Sequence, residues 1–265
     1  FAPGPQADDL AALPAETVLT VTGSAVAAAQ APGGVEVQAE TFEVVSLAEP
    51  PPLELFRPTI PAHLPTILDH APVALRHLRQ RAIFRLAAAA TEGFRATLRA
   101  QRFTEVQTPK ILGAATEGGA NVFKLDYFGR PAFLAQSPQL YKQMLVGVFE
   151  RVFEVGPAFR AEPHDTPRHI NAFTSLDVEQ GFIEDHRDVM TTLEIVLRGI
   201  IAQMQHEAAD ALALLKVALP AMPAPIPSLD FREALALLSQ QTGADLRNEI
   251  DLAPAHERLL GALSN

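Results

Sequence analysis

The chain has 265 residues, of which 48% are hydrophobic, so it can bury one substantial core and one smaller one. It has no cysteine, which excludes disulfides and thiolate metal sites, and no apolar run approaches the roughly 20 residues that span a bilayer. We therefore expect a cytoplasmic protein with no membrane partner. The net charge of −10 is local, because residues 1–56 carry eight acidic and no basic side chains, and the remaining residues carry 23 acidic and 21 basic ones. An arginine-rich surface that contacts phosphates is thus not excluded.

The N-terminal part is predicted to form β-structure. Residues 17–28 and 34–47 are two β-branched, roughly alternating runs joined by a turn-forming cluster of proline and glycine. Two strands rarely hold together alone. They either pack on the rest of the chain or are the remnant of a larger barrel, and we favour the remnant. Residues 49–70 follow as a proline-rich extended linker.

Helical and strand patterns then alternate over residues 71–265. Residues 74–101 carry apolar side chains at helical spacing and predict a long amphipathic helix. A short strand stops at Pro109, a glycine-rich loop surrounds Glu117, and a hairpin turns at Gly129. This part of the chain is predicted to be one domain that contains both helices and strands.

The segment SPQLYKQMLVGVF predicts a helix over residues 138–149, with proline at its favoured first position. Gln139 and Lys142 are three residues apart and therefore lie on one face near its start.

The C-terminal third is predicted to be mostly helical. Residues 186–216 read as one long helix, and a second helix is capped by Asp230 and ends at Gly243. After Gly243 the sequence is polar and weakly patterned, and we expect it to stop within an element at LLGALSN, which has no closing signal.

Residues 159–182, FRAEPHDTPRHINAFTSLDVEQGF, are too polar for a core hairpin. If residues 153–160 and 173–181 form two strands that pair as a hairpin, alternation places Arg160 and Glu162 on one face. The residues of the second strand that follow the same two-residue step are Phe173, Ser175, Asp177 and Glu179. A guanidinium binds phosphate in a bidentate manner, an aromatic ring stacks on a base, and a carboxylate holds an ammonium or a metal. This combination suits a nucleoside triphosphate beside an amino acid. The alternative, a surface hairpin with ion pairs worth about 0 to 1 kcal/mol each, has comparable weight on spacing alone.

Several motifs carry a family resemblance. The pattern FRxE, a loop, RHxxxF and an acidic strand resembles motif 2 of the class II aminoacyl-tRNA synthetases, and FTEVQTP resembles their motif 1. ATEGGANVF and QSPQLYKQ resemble the aspartyl-tRNA synthetases in their compact archaeal-like form. The matches cover about residues 17–260. The resemblance implies an α+β fold, with an antiparallel sheet flanked by helices and preceded by part of an oligonucleotide-binding barrel over residues 1–48.

The resemblance also implies roles for individual residues. Arg160 is expected to be the catalytic residue that holds the α-phosphate of ATP and the substrate carboxylate. The other expected roles are ATP binding by Glu162, Arg168, His169 and Phe173, aspartate binding by Glu117, Gln139, Lys142 and Asp177, and a homodimer contact by Pro109. Lys142 would pair with the side-chain carboxylate of aspartate, and Glu117 and Asp177 would hold its ammonium.

The implied reaction is ligation of L-aspartate to tRNA(Asp), with tRNA(Asn) open as a second acceptor, in a homodimer that uses ATP and Mg²⁺. The third class II motif and the magnesium ligands are missing from these residues, and no metal site is assigned to them. We therefore expect the chain to be an incomplete view of a longer synthetase, with the magnesium ligands beyond residue 265.

Three alternatives remain. An asparaginyl-tRNA synthetase has a similar scaffold, but the cation of Lys142 suits a carboxylate better than an amide. A synthetase-like asparagine synthetase is a further possibility, against which the barrel remnant argues. A non-catalytic paralogue that binds tRNA belongs to a different class of protein, and only the missing third motif supports it.

Overall fold

The structure is a computed structural model that describes residues 5–116, 121–163, 166 and 169–263. Its helices are α1 Pro5–Ala11, α2 Leu64–Asp69, α3 Ala71–Ala74, α4 Leu78–Ala100, α5 Gln139–Phe149, α6 His186–Glu207, α7 Ala209–Leu215, α8 Phe231–Thr242 and α9 Pro254–Leu263. Its strands are β1 Val18–Ala27, β2 Val35–Ser46, β3 Thr104–Glu105, β4 Ile111–Leu112, β5 Lys124–Tyr127, β6 Arg130–Leu134, β7 Arg151–Phe159 and β8 Ala172–Gln180. The predicted mixture of helices and sheets is confirmed.

The chain divides into two compact units, and the boundary falls within α4, after Ala88. The first unit holds the residues up to Ala88 together with Ala208–Lys216. Its strands β1 and β2 form an antiparallel hairpin, as predicted. The end of the predicted extended linker instead forms the short helix α2, whose proline lies in the first turn, where its missing N–H costs nothing. The predicted domain limits at residues 48 and 70 stay a prediction.

The prediction of one helix over residues 186–216 is wrong. The backbone leaves the helical region at Ala208, with φ −129° and ψ 26°, and α7 begins afterwards. Ala208 and Ala211 are buried, and Asp210 accepts two hydrogen bonds from the Arg85 guanidinium. These contacts of α7 within the first unit override local helix propensity, since neither glycine nor proline marks the break.

The second unit holds Ala89–Glu207 and Val217–Asn265. Its central sheet has the order β3, β7, β8. Strands β7 and β8 are antiparallel over nine residue pairs, so the predicted hairpin is confirmed. Strand β3 pairs with β7 in parallel, which makes the sheet mixed.

One face of the central sheet packs on helices α4 and α6. The core contains Phe94 and Leu98 of α4, Phe153 of β7 and Val196 of α6, with Phe103 beside them. The rings of Phe94 and Phe153 meet edge to face, with their centres 5.7 Å apart. Because side chains alternate along a strand, burial of this face leaves the opposite face of the sheet for other contacts.

Strands β4, β6 and β5 form a separate antiparallel sheet. Its β5–β6 hairpin turns at Phe128 and Gly129, both at positive φ, as the glycine predicted. Helix α8 begins at its predicted cap, where the Asp230 carboxylate accepts a hydrogen bond from the backbone N–H of Arg232. Helix α9 lies within the weakly patterned residues after Gly243 and was not assigned from the sequence.

Candidate active site

The face of the β7–β8 hairpin opposite helices α4 and α6 carries the candidate site. In the antiparallel register, Phe173 lies opposite Ala158, Ser175 opposite Gly156 and Asp177 opposite Glu154. Residues directly opposite each other in such a pair point to the same side of the sheet. We call this the site face, made of Val152, Glu154, Gly156 and Ala158 of β7 and Phe173, Ser175, Asp177 and Glu179 of β8. The predicted nucleotide-side and amino-acid-side residues of β8 therefore share one surface.

Lys142 reaches this face from α5. Its Nζ donates a hydrogen bond to Asp177 Oδ1 at 3.0 Å and lies 3.6 Å from Glu179 Oε2. The side chains of Lys142 and Asp177 are 7% and 14% exposed, so solvent screens this pair weakly. Gln139, one turn earlier on α5, is partly buried. Two residues predicted for the amino acid, Lys142 and Asp177, are thus brought together at one end of the site face.

Residues predicted for ATP gather at the other end. A cavity of about 390 Å³ is lined by Arg160, Glu162, His169, Ile170 and Phe173. The guanidinium carbon of Arg160 lies 5.8 Å from the centre of the Phe173 ring, at cation–π distance. His169 Nε2 lies 3.5 Å from Glu162 Oε2, and His169 Nδ1 is 2.6 Å from Thr166 Oγ1. A cationic group, an aromatic plate and a carboxylate therefore surround one opening.

Two predicted residues, Glu117 and Arg168, lie outside the described residues. Pro109 is exposed, and its role as a dimer contact stays a prediction. Within the described ranges, no group of three or more histidine or carboxylate side chains is placed to hold a metal ion. No helix in the part of the chain that the structure describes has the length and hydropathy to cross a membrane.

Glu154 lies on the site face but was not predicted as a site residue from the sequence. Its side chain is 1% exposed and accepts hydrogen bonds from Thr108 N at 3.0 Å, Thr108 Oγ1 at 2.7 Å and Lys110 Nζ at 2.8 Å. The sequence does contain a sign that Glu154 is special, because it is the single acidic residue inside the largely apolar run RVFEVG. A buried carboxylate requires partners of this kind. It gives the site face a second ammonium–carboxylate pair.

The fold and this arrangement of cationic, aromatic and carboxylate groups define a class II aminoacyl-tRNA synthetase domain. The chain belongs to the family described as tRNA synthetases class II (D, K and N), whose model matches residues 64–260. This confirms the family resemblance drawn from motifs 1 and 2.

Within this family, the chain is similar to curated aspartate–tRNA ligases. The chain is 46% identical over 247 residues to the aspartate–tRNA(Asp/Asn) ligase of Deinococcus radiodurans, a match that covers 93% of this chain and 57% of the relative. It is 45% identical over 247 residues to the enzyme of the same name from Thermus thermophilus, covering 93% and 58%. The chain thus spans a little over half the length of these relatives.

Solved structures agree in fold. An asparaginyl-tRNA synthetase from Pyrococcus horikoshii, complexed with asparaginyl-adenylate, superposes with a TM-score of 0.85 at 27% identity and covers 97% of this chain and 59% of that chain. An aspartyl-tRNA synthetase from Entamoeba histolytica gives 0.78 at 28% identity, covering 95% and 54%. The likeness in fold to these synthetases therefore extends over nearly the whole chain.

Proposed function

We propose that this chain carries the amino-acid and ATP sites of an aspartate–tRNA ligase. Such an enzyme activates L-aspartate with ATP and transfers the aspartyl group to tRNA(Asp), and here also to tRNA(Asn). The observation that carries the proposal is the buried cation of Lys142 at one end of the site face. A buried ammonium favours a carboxylate over the neutral amide of asparagine. The names of the 45–46% identical relatives support the same substrate.

The aspartate side chain is proposed to bind at Lys142. The Lys142 ammonium, shared between Asp177 and Glu179, would turn one donor to the substrate carboxylate. Asp177 would then accept from the substrate ammonium, with Glu117 as its partner, and Gln139 would contact the same amino acid. Lys142 thereby binds the side-chain carboxylate of aspartate, and Asp177 binds its ammonium.

ATP is proposed to occupy the cavity beside Phe173. The adenine would stack on the Phe173 ring, with Glu162 at its edge, and Arg160 would hold the α-phosphate. His169 and Arg168 would approach the terminal phosphates. Because ATP and aspartate lie along one sheet face, the aspartate α-carboxylate can attack the α-phosphorus in line, displacing pyrophosphate and forming aspartyl-adenylate.

Charge neutralisation and positioning carry this step, and no protein nucleophile is needed. A bound Mg²⁺ would neutralise phosphate charge. Among the described residues no group of three or more metal-binding side chains is present, and no role of this chain is assigned through the metal. In the second step the terminal ribose hydroxyl of tRNA attacks the aspartyl carbonyl and releases AMP.

Asparaginyl-tRNA synthetase activity is the second candidate, favoured by the likeness in fold to the Pyrococcus horikoshii enzyme. Amino-acid-dependent ATP–pyrophosphate exchange by the natural full-length protein separates the two. We expect exchange with aspartate and little with asparagine. The reverse preference would replace the proposal with the second candidate, and tRNA binding without any exchange would indicate a non-catalytic paralogue.

A homodimer is also proposed, with the exposed Pro109 in the contact. Sedimentation of the natural full-length protein is expected to give twice the monomer mass, and Pro109→Asp is expected to shift it towards the monomer. A monomeric wild type would contradict this part of the proposal. We also propose a cytoplasmic location, because tRNA is charged there.

A further inference from the structure

The site face carries a second ammonium–carboxylate pair, Lys110 with Glu154, next to the pair of Lys142 with Asp177. Glu154 is almost fully buried and Lys110 is 20% exposed. Lys110 Nζ donates to Glu154 Oε1 at 2.8 Å and to Thr108 Oγ1 at 3.1 Å. None of these three residues has a role in the proposed binding of aspartate or ATP.

Gly156 provides the space for this second pair. A Cβ added at Gly156 would lie 3.1 Å from Glu154 Oε1, 3.3 Å from Lys110 Cε and 3.4 Å from Lys110 Nζ. The lysine end thus occupies the volume that a side chain at this position would need. In the strand register Gly156 lies between Ala158, opposite Phe173, and Glu154, opposite Asp177. The second cation therefore stands between the two proposed halves of the site.

The charges on this face explain what the second pair does. Three carboxylates, Glu154, Asp177 and Glu179, lie on the site face, and two ammonium groups, Lys110 and Lys142, contact them. A buried carboxylate without a cation is strongly destabilised and attracts any cation within reach. Glu154 lies directly opposite Asp177, the residue that Lys142 binds. Without Lys110, Glu154 would compete for the ammonium of Lys142.

We propose that Lys110 is a positioning residue for aspartate specificity: by neutralising Glu154, it keeps the Lys142 ammonium available to the side-chain carboxylate of the substrate. The proposal rests on the proposed aspartate-activating function. Lys110 does not touch the substrate in this account. It acts through Glu154 and Lys142.

The test is ATP–pyrophosphate exchange by the natural full-length protein and its Lys110→Met variant. We expect the KM for aspartate to rise roughly tenfold, the change that 1.4 kcal/mol of lost binding gives, while the KM for ATP stays within about twofold. The double variant Lys110→Met/Glu154→Gln, which removes both charges, should return the aspartate KM to within about threefold of wild type. Arg95→Met, which removes the cation beside Glu105 at 2.8 Å, is the matched control and should leave the aspartate KM unchanged.

An unchanged aspartate KM in Lys110→Met would overturn the proposal, as would equal rises in the KM for aspartate and for ATP. If Lys110→Met does not fold, the double variant decides: a near-normal aspartate KM supports the positioning role, and a tenfold rise overturns it. Absence of aspartate-dependent exchange in the wild type would overturn the proposed function and this inference together. If the wild type shows aspartate-dependent exchange but Lys110→Met has an unchanged aspartate KM, only the inference about Lys110 fails and the proposed function stands.

Discussion

Lys142 of α5 and Asp177 of β8 form a buried ion pair, with Nζ and Oδ1 3.0 Å apart, although 35 positions separate them in the chain. The pair places a cation and an anion side by side at one end of the site face. Aspartate presents the complementary charges, a side-chain carboxylate and an ammonium. We therefore propose this pair as the centre of aspartate recognition.

Replacing Lys142 by methionine is expected to raise the KM for aspartate by about thirtyfold or more, because loss of one partner of a buried charge pair costs about 2 kcal/mol or more. The KM for ATP should change little. The measurement is ATP–pyrophosphate exchange at varied aspartate. Lys124→Met removes an exposed lysine of β5 in the same unit and is the control. Normal aspartate affinity in Lys142→Met would remove this residue from the site.

Phe173→Ala is expected to weaken ATP binding roughly tenfold, since stacking of a base on an aromatic ring contributes about 1 to 3 kcal/mol. The KM for aspartate should stay near that of wild type. Phe128→Ala is the control, because the Phe128 side chain is 91% exposed at the tip of the β5–β6 hairpin. An unchanged KM for ATP in Phe173→Ala would show that the base does not stack there.

Two glycines in helices test the packing of the second unit in opposite directions. A Cβ added at Gly93 of α4 would lie 2.8 Å from Gly199 O and Ile200 Cα of α6, so the two helices touch at backbone distance. Gly93→Ala is expected to lower the free energy of unfolding by about 1 to 3 kcal/mol. Gly147 of α5 has no atom within 4 Å of an added Cβ, and Gly147→Ala should raise it by about 0.5 to 1 kcal/mol. Urea unfolding measures both, and an unaffected Gly93→Ala would contradict the close approach.

Glu105 of β3 gives the folded state a pH dependence. Burial by itself would raise the pKa of the Glu105 carboxyl, but hydrogen bonds and charges from Arg95 and Arg99 outweigh it and hold this pKa below its usual value. A lowered pKa in the folded state stabilises the protein above the unfolded pKa, and this contribution is lost as the pH falls through the folded pKa.

Glu105→Gln is therefore expected to lower the free energy of unfolding by about 1 kcal/mol at neutral pH. The difference from wild type should shrink as the pH falls below about 4, where the unfolded carboxyl becomes protonated. Urea unfolding at neutral and acidic pH measures it. Glu92→Gln, an exposed change on α4, should show a small difference that does not vary in this way. A constant penalty for Glu105→Gln at all pH values would contradict the assignment.

Patterns within short stretches of sequence predicted those strands and helices whose formation depends on neighbouring residues. The β7–β8 hairpin followed from alternation, and the start and end of α8 followed from Asp230 and Gly243. The family motifs then predicted which residues share the site, and the structure brings Arg160, Glu162, His169 and Phe173 around one cavity. Each of these signals lies within a short stretch of sequence.

Contacts between distant parts of the chain could not be predicted in the same way. Lys110 and Glu154 form an ion pair although they are 44 positions apart, and the sequence near either residue does not predict the other as its partner. The break at Ala208 depends on packing of α7 within the first unit rather than on a helix-breaking residue. The parallel pairing of β3 with β7 likewise depends on the whole sheet.

Aminoacylation of purified tRNA(Asp) and tRNA(Asn) by the natural full-length protein tests the central claim most directly. The account predicts that labelled aspartate, and not labelled asparagine, becomes attached to tRNA(Asp), and that tRNA(Asn) also accepts aspartate. Charging of tRNA(Asn) with asparagine, or charging of neither tRNA with aspartate, would contradict it.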